Sequence, residues 1–198
     1  MDSKRKILDA IARHKHPPVP LPDLDRLGFI SGDQVAAFTA TLTAIGGRSF
    51  QLGGKMAIAE KVRELWGGRG RVITTLDYLA DVGEQVFPGD IIPQRLHDVE
   101  LAIIEARYAV AENGAVWIPE VLMGHRIVPF ICQHLAVVVP IGAILPTMHD
   151  AYRLIGSEQY GFACFIAGPS KTADIEQALV LGAHGPRTMT VFILVETT

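Results

Sequence analysis

Apolar residues recur every three or four positions in several stretches of the chain. Over residues 3–14, Ile7, Leu8 and Ile11 alternate with Lys and Arg, which predicts a short amphipathic helix. Over 33–45, Val35, Phe38, Leu42 and Ile45 share one face, Asp33 is a natural N-cap, and Gly46-Gly47 stops the helix. Residues 55–66 repeat the pattern with Met56, Ile58, Ala59, Val62 and Leu65 before Gly67-Gly68. Thr147–Leu154 and Ala173–Leu181 read as two further helices, with Gly182 as the cap of the second. Between them lie strand-like runs: 71–75, 108–112, 115–118, 135–139, 162–167 and 188–195. Residues 98–104 fit a short strand or a buried helix turn. Asn113-Gly114 tolerates the positive φ of a type I′ turn and predicts a hairpin between its flanking strands. Leu135–Val139 and Phe162–Ala167 are apolar throughout, as strands covered on both faces are. The alternation predicts an α/β fold, a mostly parallel sheet with helices on both faces. Its last strand–helix–strand unit is expected to cross over right-handed.

Pro17-Pro18-Val19-Pro20-Leu21-Pro22 forces an extended connector between the first helix and the rest. It serves as a stiff tether, or as a motif for a proline-binding partner. Residues 1–29 are therefore expected to form an N-terminal helix and Pro-rich connector, and 30–198 the main domain. With 49% hydrophobic residues the chain is not disordered. A net charge of −3 removes the electrostatic reason to expect nucleic acid as a partner. The charged start is followed by no long apolar run, so no secretory signal is expected. No membrane span is expected either: the most apolar stretch, Ile127–Leu145, is broken by Pro129, Gln133, His134 and Pro140. Cys132 and Cys164 are too few for a disulfide scaffold, a Cys-only zinc site or an iron–sulfur cluster, and a cytoplasmic location fits them as buried thiols.

Three segments carry candidate chemistry. Gly168-Pro169-Ser170-Lys171-Thr172-Ala173-Asp174-Ile175-Glu176 follows a strand and opens a predicted helix, where α/β proteins place ligands. Ser170 or Thr172 could cap that helix, and Ser170, Asp174 or Glu176 could face a ligand. It is not a phosphate loop, because Ser170 rather than Gly precedes Lys171. The second segment is Gly182-Ala183-His184-Gly185-Pro186-Arg187, where a histidine between two turn glycines is positional or functional. A straight helix between the two would hold His184 ~14 Å from Thr172. The third is Glu112-Asn113-Gly114, a carboxylate beside a tight turn, suited to a nucleophile, a general base or a solvated flank. The other six histidines form no metal signature. Gly67-Gly68-Arg69-Gly70 precedes a strand, the wrong order for a dinucleotide loop.

The segments 108–117, 168–176 and 179–187 together resemble the LUD domain of the lactate utilization proteins, the LutC/YkgG family. Gly-Pro-Ser, Thr-Ala-Asp-Ile-Glu and His-Gly-Pro stand there in the same order and spacing. The likeness runs over roughly residues 30–196 and is densest in the last third. It implies a fold of the NagB/RpiA/CoA-transferase kind and a part in oxidising L-lactate to pyruvate beside iron–sulfur partner proteins. The clusters would belong to those partners, with no cofactor in this chain. It also implies ligand contacts at Asn113, Gly114, Gly168, Pro169, Ser170, Thr172, Asp174, Glu176, His184 and Gly185, with Glu112 as the candidate catalytic residue. The family commonly carries Thr where Asn113 stands and Thr or Ser where Ala115 stands, so two hydroxyls are missing here.

Three functions stay open on these residues. The first is an accessory, ligand-binding subunit of a lactate utilization system, bound to iron–sulfur proteins and a small organic acid. The second is a freestanding enzyme acting on an acyl-CoA or sugar phosphate, with Glu112 as nucleophile or base. The third is a metabolite-binding regulatory module. Homo-oligomerisation is compatible with each.

Overall fold

The structure, a computed structural model, describes residues 2–17, 19–20, 22–23, 32–87, 89, 92–156, 158–175 and 178–195. The boundary expected near residue 29, two positions of the connector and Glu176 lie outside the described residues. The N-terminal helix, α1 (Ser3–Arg13), forms as predicted, capped by Asp2, and buries none of its residues. Ile7, Leu8 and Ile11 are each more than half exposed.

The body is built on a six-stranded, all-parallel sheet in the order β1-β12-β7-β4-β2-β3. Its strands are β1 (Arg48–Gly53), β2 (Arg71–Thr74), β3 (Glu84–Gln85), β4 (Val99–Glu105), β7 (His134–Pro140) and β12 (Thr188–Val195). The α/β expectation thus holds, and 98–104 is a strand rather than a helix turn. Helix α3 (Lys55–Trp66) covers one face, where Ile58, Ala59, Val62 and Trp66 meet Leu101, Ile103, Ala136, Val138, Phe192 and Leu194. Helices α2 (Gln34–Ala44) and α4 (Val128–Ile131) cover the other, where Phe38, Leu42 and Val128 meet Leu135, Val137, Val139, Val191 and Ile193. Asp33 caps α2 as expected, its carboxylate accepting from the N–H groups of Val35 and Ala36.

A second sheet also packs on the α2 side. It has the order β8-β5-β6-β9, from β5 (Tyr108–Val110), β6 (Ala115–Pro119), β8 (Ile144–Leu145) and β9 (Ala163–Ala167). Ala109, Val116 and Ile118 join the main core. On its far side Val110 and Trp117 pack with Ala151 and Ile155 of α5 (Met148–Ile155). Because β9 belongs to this sheet, the last segments form no parallel strand–helix–strand unit and no crossover helix. The stretch expected to be a helix, 173–181, is a hairpin of β10 (Lys171–Ile175) and β11 (Ala178–Leu181). β9 is only half-buried, and β1 forms where no strand was expected. No helix among the described residues is long and apolar enough to cross a membrane.

Burial decides the thiol chemistry. Cys132 is buried in the core and its thiol is pushed up to about 12, and that of half-buried Cys164 to about 11, in both cases by desolvation of the thiolate. The thiolate is the reacting form, so both cysteines should label slowly with Ellman's reagent at about pH 8 and rapidly in denaturant. Fast stoichiometric labelling of the native chain would contradict this packing.

Candidate functional site

The segment 108–117 is a hairpin, as expected, but the turn is longer than two residues. Val110 pairs with Ala115, leaving a four-residue loop, Ala111–Gly114. Gly114 sits at φ +69°, and its N–H donates to the Val110 carbonyl at 2.9 Å. Asn113 Oδ1 accepts from the Ala115 N–H at 3.0 Å, an Asx turn that tightens the loop. The far strand pairs with β9, Ala115 opposite Ala167, so Gly114 and Gly168 are the next facing positions. Both glycines close on the end of α2. A Cβ on Gly114 would stand 3.0 Å from Leu42 Cα, and one on Gly168, at φ +72°, 3.0 Å from the Ile45 carbonyl oxygen. Two of the three predicted segments therefore meet at one helix terminus.

The third joins them through the β10–β11 hairpin. Lys171 pairs with Leu181 and Thr172 with Val180. Ser170 and Thr172 therefore cap no helix, Gly182 ends none, and the ~14 Å helical spacer between Thr172 and His184 is absent. Instead the loops are zipped together. The Ser170 N–H donates to the Pro186 carbonyl at 2.9 Å, and the Gly182 N–H to the Ser170 carbonyl at 3.0 Å. A Cβ on Gly185 would lie 3.2 Å from Ser170 Cβ. The Arg187 N–H donates to the Gln133 carbonyl at 2.8 Å, which fixes the cluster beside the amino ends of β7 and β12. Its place is thus not the carboxyl edge of the main sheet, where a parallel strand leading into a helix would have put it. Gly168 and Pro169 are buried, Ser170 and Thr172 half-buried, and His184 exposed; Asp174 lies on β10.

Glu112 is exposed and turned to a different neighbour. Its Oε2 accepts from the Met148 N–H at 2.8 Å, and its own N–H donates to the Pro146 carbonyl at 3.0 Å. The carboxylate thus sits at the positive end of α5, beside the Thr147–Asp150 capping box. Among the described residues no hydrogen bond joins Glu112 to the Ser170–Gly185 cluster. None of their groups of three or more His, Cys, Asp or Glu could hold a metal ion. Sequence reasoning set His134 aside; in the fold its Nδ1 is 2.7 Å from Thr188 Oγ1 and its Nε2 3.4 Å from Glu100 Oε1. The available signal was that two adjoining buried strands each begin with a polar residue.

A family model described as the LUD domain matches residues 88–194. Lactate utilization protein C 1 of Bacillus mycoides is 33% identical over 103 residues, 49% of this chain and 44% of that protein. Lactate utilization protein C of Anoxybacillus flavithermus is 34% identical over 89 residues, 44% of this chain and 40% of that protein. Each match thus spans under half of the relative. The crystal structure of a DUF162 family protein from Deinococcus radiodurans shares the fold, with a TM-score of 0.59 at 14% identity over 82% of this chain and 96% of that one.

The glycine clamp and the Glu112 cap can be separated by substitution. Gly168→Ala places a Cβ in the left-handed region against the end of α2, and should cost about 1–3 kcal/mol. Glu112→Gln keeps an acceptor for Met148 but removes the charge, and should cost only about 0.3–1 kcal/mol. Urea unfolding midpoints at constant m-value measure both, and equal losses would refute the distinction.

Proposed function

The chain belongs to the LUD-domain family, and on that premise we propose that it is an accessory, ligand-binding subunit of a cytoplasmic lactate utilization system. The observation that carries this reading is the family match over 88–194, which contains all three segments gathered around the end of α2 and the β10–β11 hairpin. The relatives named lactate utilization protein C supply the substrate class.

The missing hydroxyls do not weaken it. Asn113 Oδ1 takes the Ala115 N–H, a turn contact that a threonine oxygen there could also make. Ala115 is buried in the β6–β9 pair, where a hydroxyl would need its own partner.

Oxidising L-lactate to pyruvate releases two electrons and two protons. A cluster to receive those electrons takes about four cysteinates, and this chain has two cysteines. The electron acceptor is therefore assigned to an iron–sulfur partner, and this subunit holds the small organic acid or the partner through the loops of Ser170, Thr172, His184 and Gly185. Glu112 is given no chemical step, since its carboxylate serves Met148.

Affinity purification of the tagged full chain from lactate-grown source cells, with mass spectrometry, tests the reading. Iron–sulfur proteins should co-purify in fixed ratio, and the isolated chain should not oxidise L-lactate. A chain that comes down alone, or that oxidises lactate unaided, would overturn it.

A further inference from the structure

At the amino edge of the main sheet, beneath the C-terminal end of α3, lies a cavity of about 490 Å³. That volume suits a small molecule. Its polar lining comes from the starts of four neighbouring strands and from Glu64 and Arg69 at and just past the end of α3. Thr188 is in register with His134, and Arg48 with Thr190. By period two these side chains share the α3 face with Phe50, Ala136 and Phe192. Glu100 arrives by a different route. Arg71 pairs with Val99 and Val72 with Leu101, so Glu100 is the extra residue of a bulge. Bulges re-aim side chains, and this one brings a carboxylate beside His134. Gly70 makes room for it, since a Cβ there would lie 2.7 Å from Glu100 Cβ.

Two arginines, Arg48 and Arg69, and two glutamates, Glu64 and Glu100, line the cavity. Glu64 is paired with Lys61 at 2.5 Å, and Glu100 lies 3.4 Å from His134 Nε2. Arg48 donates through Nε to Thr190 Oγ1 at 2.8 Å, and its guanidinium carbon sits 5.2 Å from the Trp66 ring centroid. Neither Arg48 nor Arg69, both of which line the cavity, has an ion-pair partner among the described residues. A guanidinium fixed at Nε and stacked on an indole keeps its terminal N–H groups oriented as a fork. That fork matches a carboxylate in two parallel hydrogen bonds. Beside it, the Thr188 hydroxyl and His134 Nδ1 share a hydrogen bond of 2.7 Å, and His134 Nε2 lies 3.4 Å from Glu100 Oε1.

We infer that this cavity binds a small organic carboxylate, held by the Arg48 guanidinium and flanked by the Thr188–His134–Glu100 row. None of these residues belongs to the segments that carry the family resemblance, so the inference does not rest on the lactate reading.

Trp66 walls the cavity and the only other tryptophan, Trp117, is in the second sheet. Labelling the full chain with 5-fluorotryptophan therefore gives two ¹⁹F resonances, assigned by Trp66→Phe. Titration with pyruvate, propionate and succinate through the low-millimolar range should shift the Trp66 resonance saturably and leave Trp117 in place. Arg48→Gln should weaken that binding roughly tenfold or more, with an unmoved Trp117 resonance showing that the fold is intact. Should that variant not fold, Arg69→Gln at the exposed rim should weaken binding in the same direction. No saturable shift with any carboxylate, full affinity in the folded arginine variant, or a shift with inorganic phosphate alone would overturn the inference.

Discussion

A strand that is apolar on both faces has to be covered on both sides, and the parallel pair β7–β12 makes that demand at the centre of the molecule. Leu135, Val137, Val139, Val191 and Ile193 point one way; Ala136, Val138, Phe192 and Leu194 point the other. Burying a side chain of the Val, Leu, Ile or Phe type is worth about 1.5–3 kcal/mol, so neither face can be left wet in a marginally stable protein. On the side where Trp66 meets Phe192 edge-on at 6.4 Å, one helix, α3, is joined by Leu76 and Leu79 of the segment after β2. The other side takes α2, α4 and a second sheet. That sheet has two apolar faces of its own, which is why α5 docks outside it on Val110 and Trp117.

This layering explains where the family segments end up. They lie on the turns and extensions of the second sheet, and the antiparallel β6–β9 pair sets Gly114 and Gly168 side by side on α2. The chain must then return from β9 to the start of β12 in the main sheet. It does so through the β10–β11 hairpin, whose base is closed by the backbone bonds of Ser170 to Pro186 and Gly182. The cluster is built largely from backbone groups and glycines, and its geometry follows from strand pairing.

The parts of the sequence that were legible are those where one period dominates. Asp33 before Val35, Phe38 and Leu42, and the unbroken run Leu135–Val139, admit one reading each, and the structure agrees. In the segment 173–181, Ala, Glu, Gln and Leu favour helix, while the pairing of Lys171 with Leu181 that makes it a hairpin is a tertiary fact. β1 was missed although Phe50 and Leu52 alternate with Ser49 and Gln51, since six residues between two helices are easily taken for a loop. Of the candidate site, the three segments were visible but not their meeting. Glu100 was not visible at all, because a bulge is set by the neighbouring strand and leaves no periodicity behind.

The amino edge of the sheet offers an internal comparison between two arginines that begin strands. Arg71, at the start of β2, is matched by two carboxylates. It donates to both Glu84 oxygens at 2.9 Å, to Asp98 at 2.7 Å and to the Arg95 carbonyl at 2.6 Å. Those bonds push its pKa up and hold Asp98 below the usual carboxylate range. It is a staple that ties β2 to its neighbours, with four of its five guanidinium N–H groups committed and two carboxylates already matching its charge. Arg48, at the start of β1, has one hydroxyl and two aromatic rings for company and, among the described residues, no ion pair with a carboxylate. A structural role would be served by the arrangement around Arg71. An arginine stacked, anchored at one nitrogen and left without a counter-ion beside a cavity is instead disposed toward a ligand that brings its own charge.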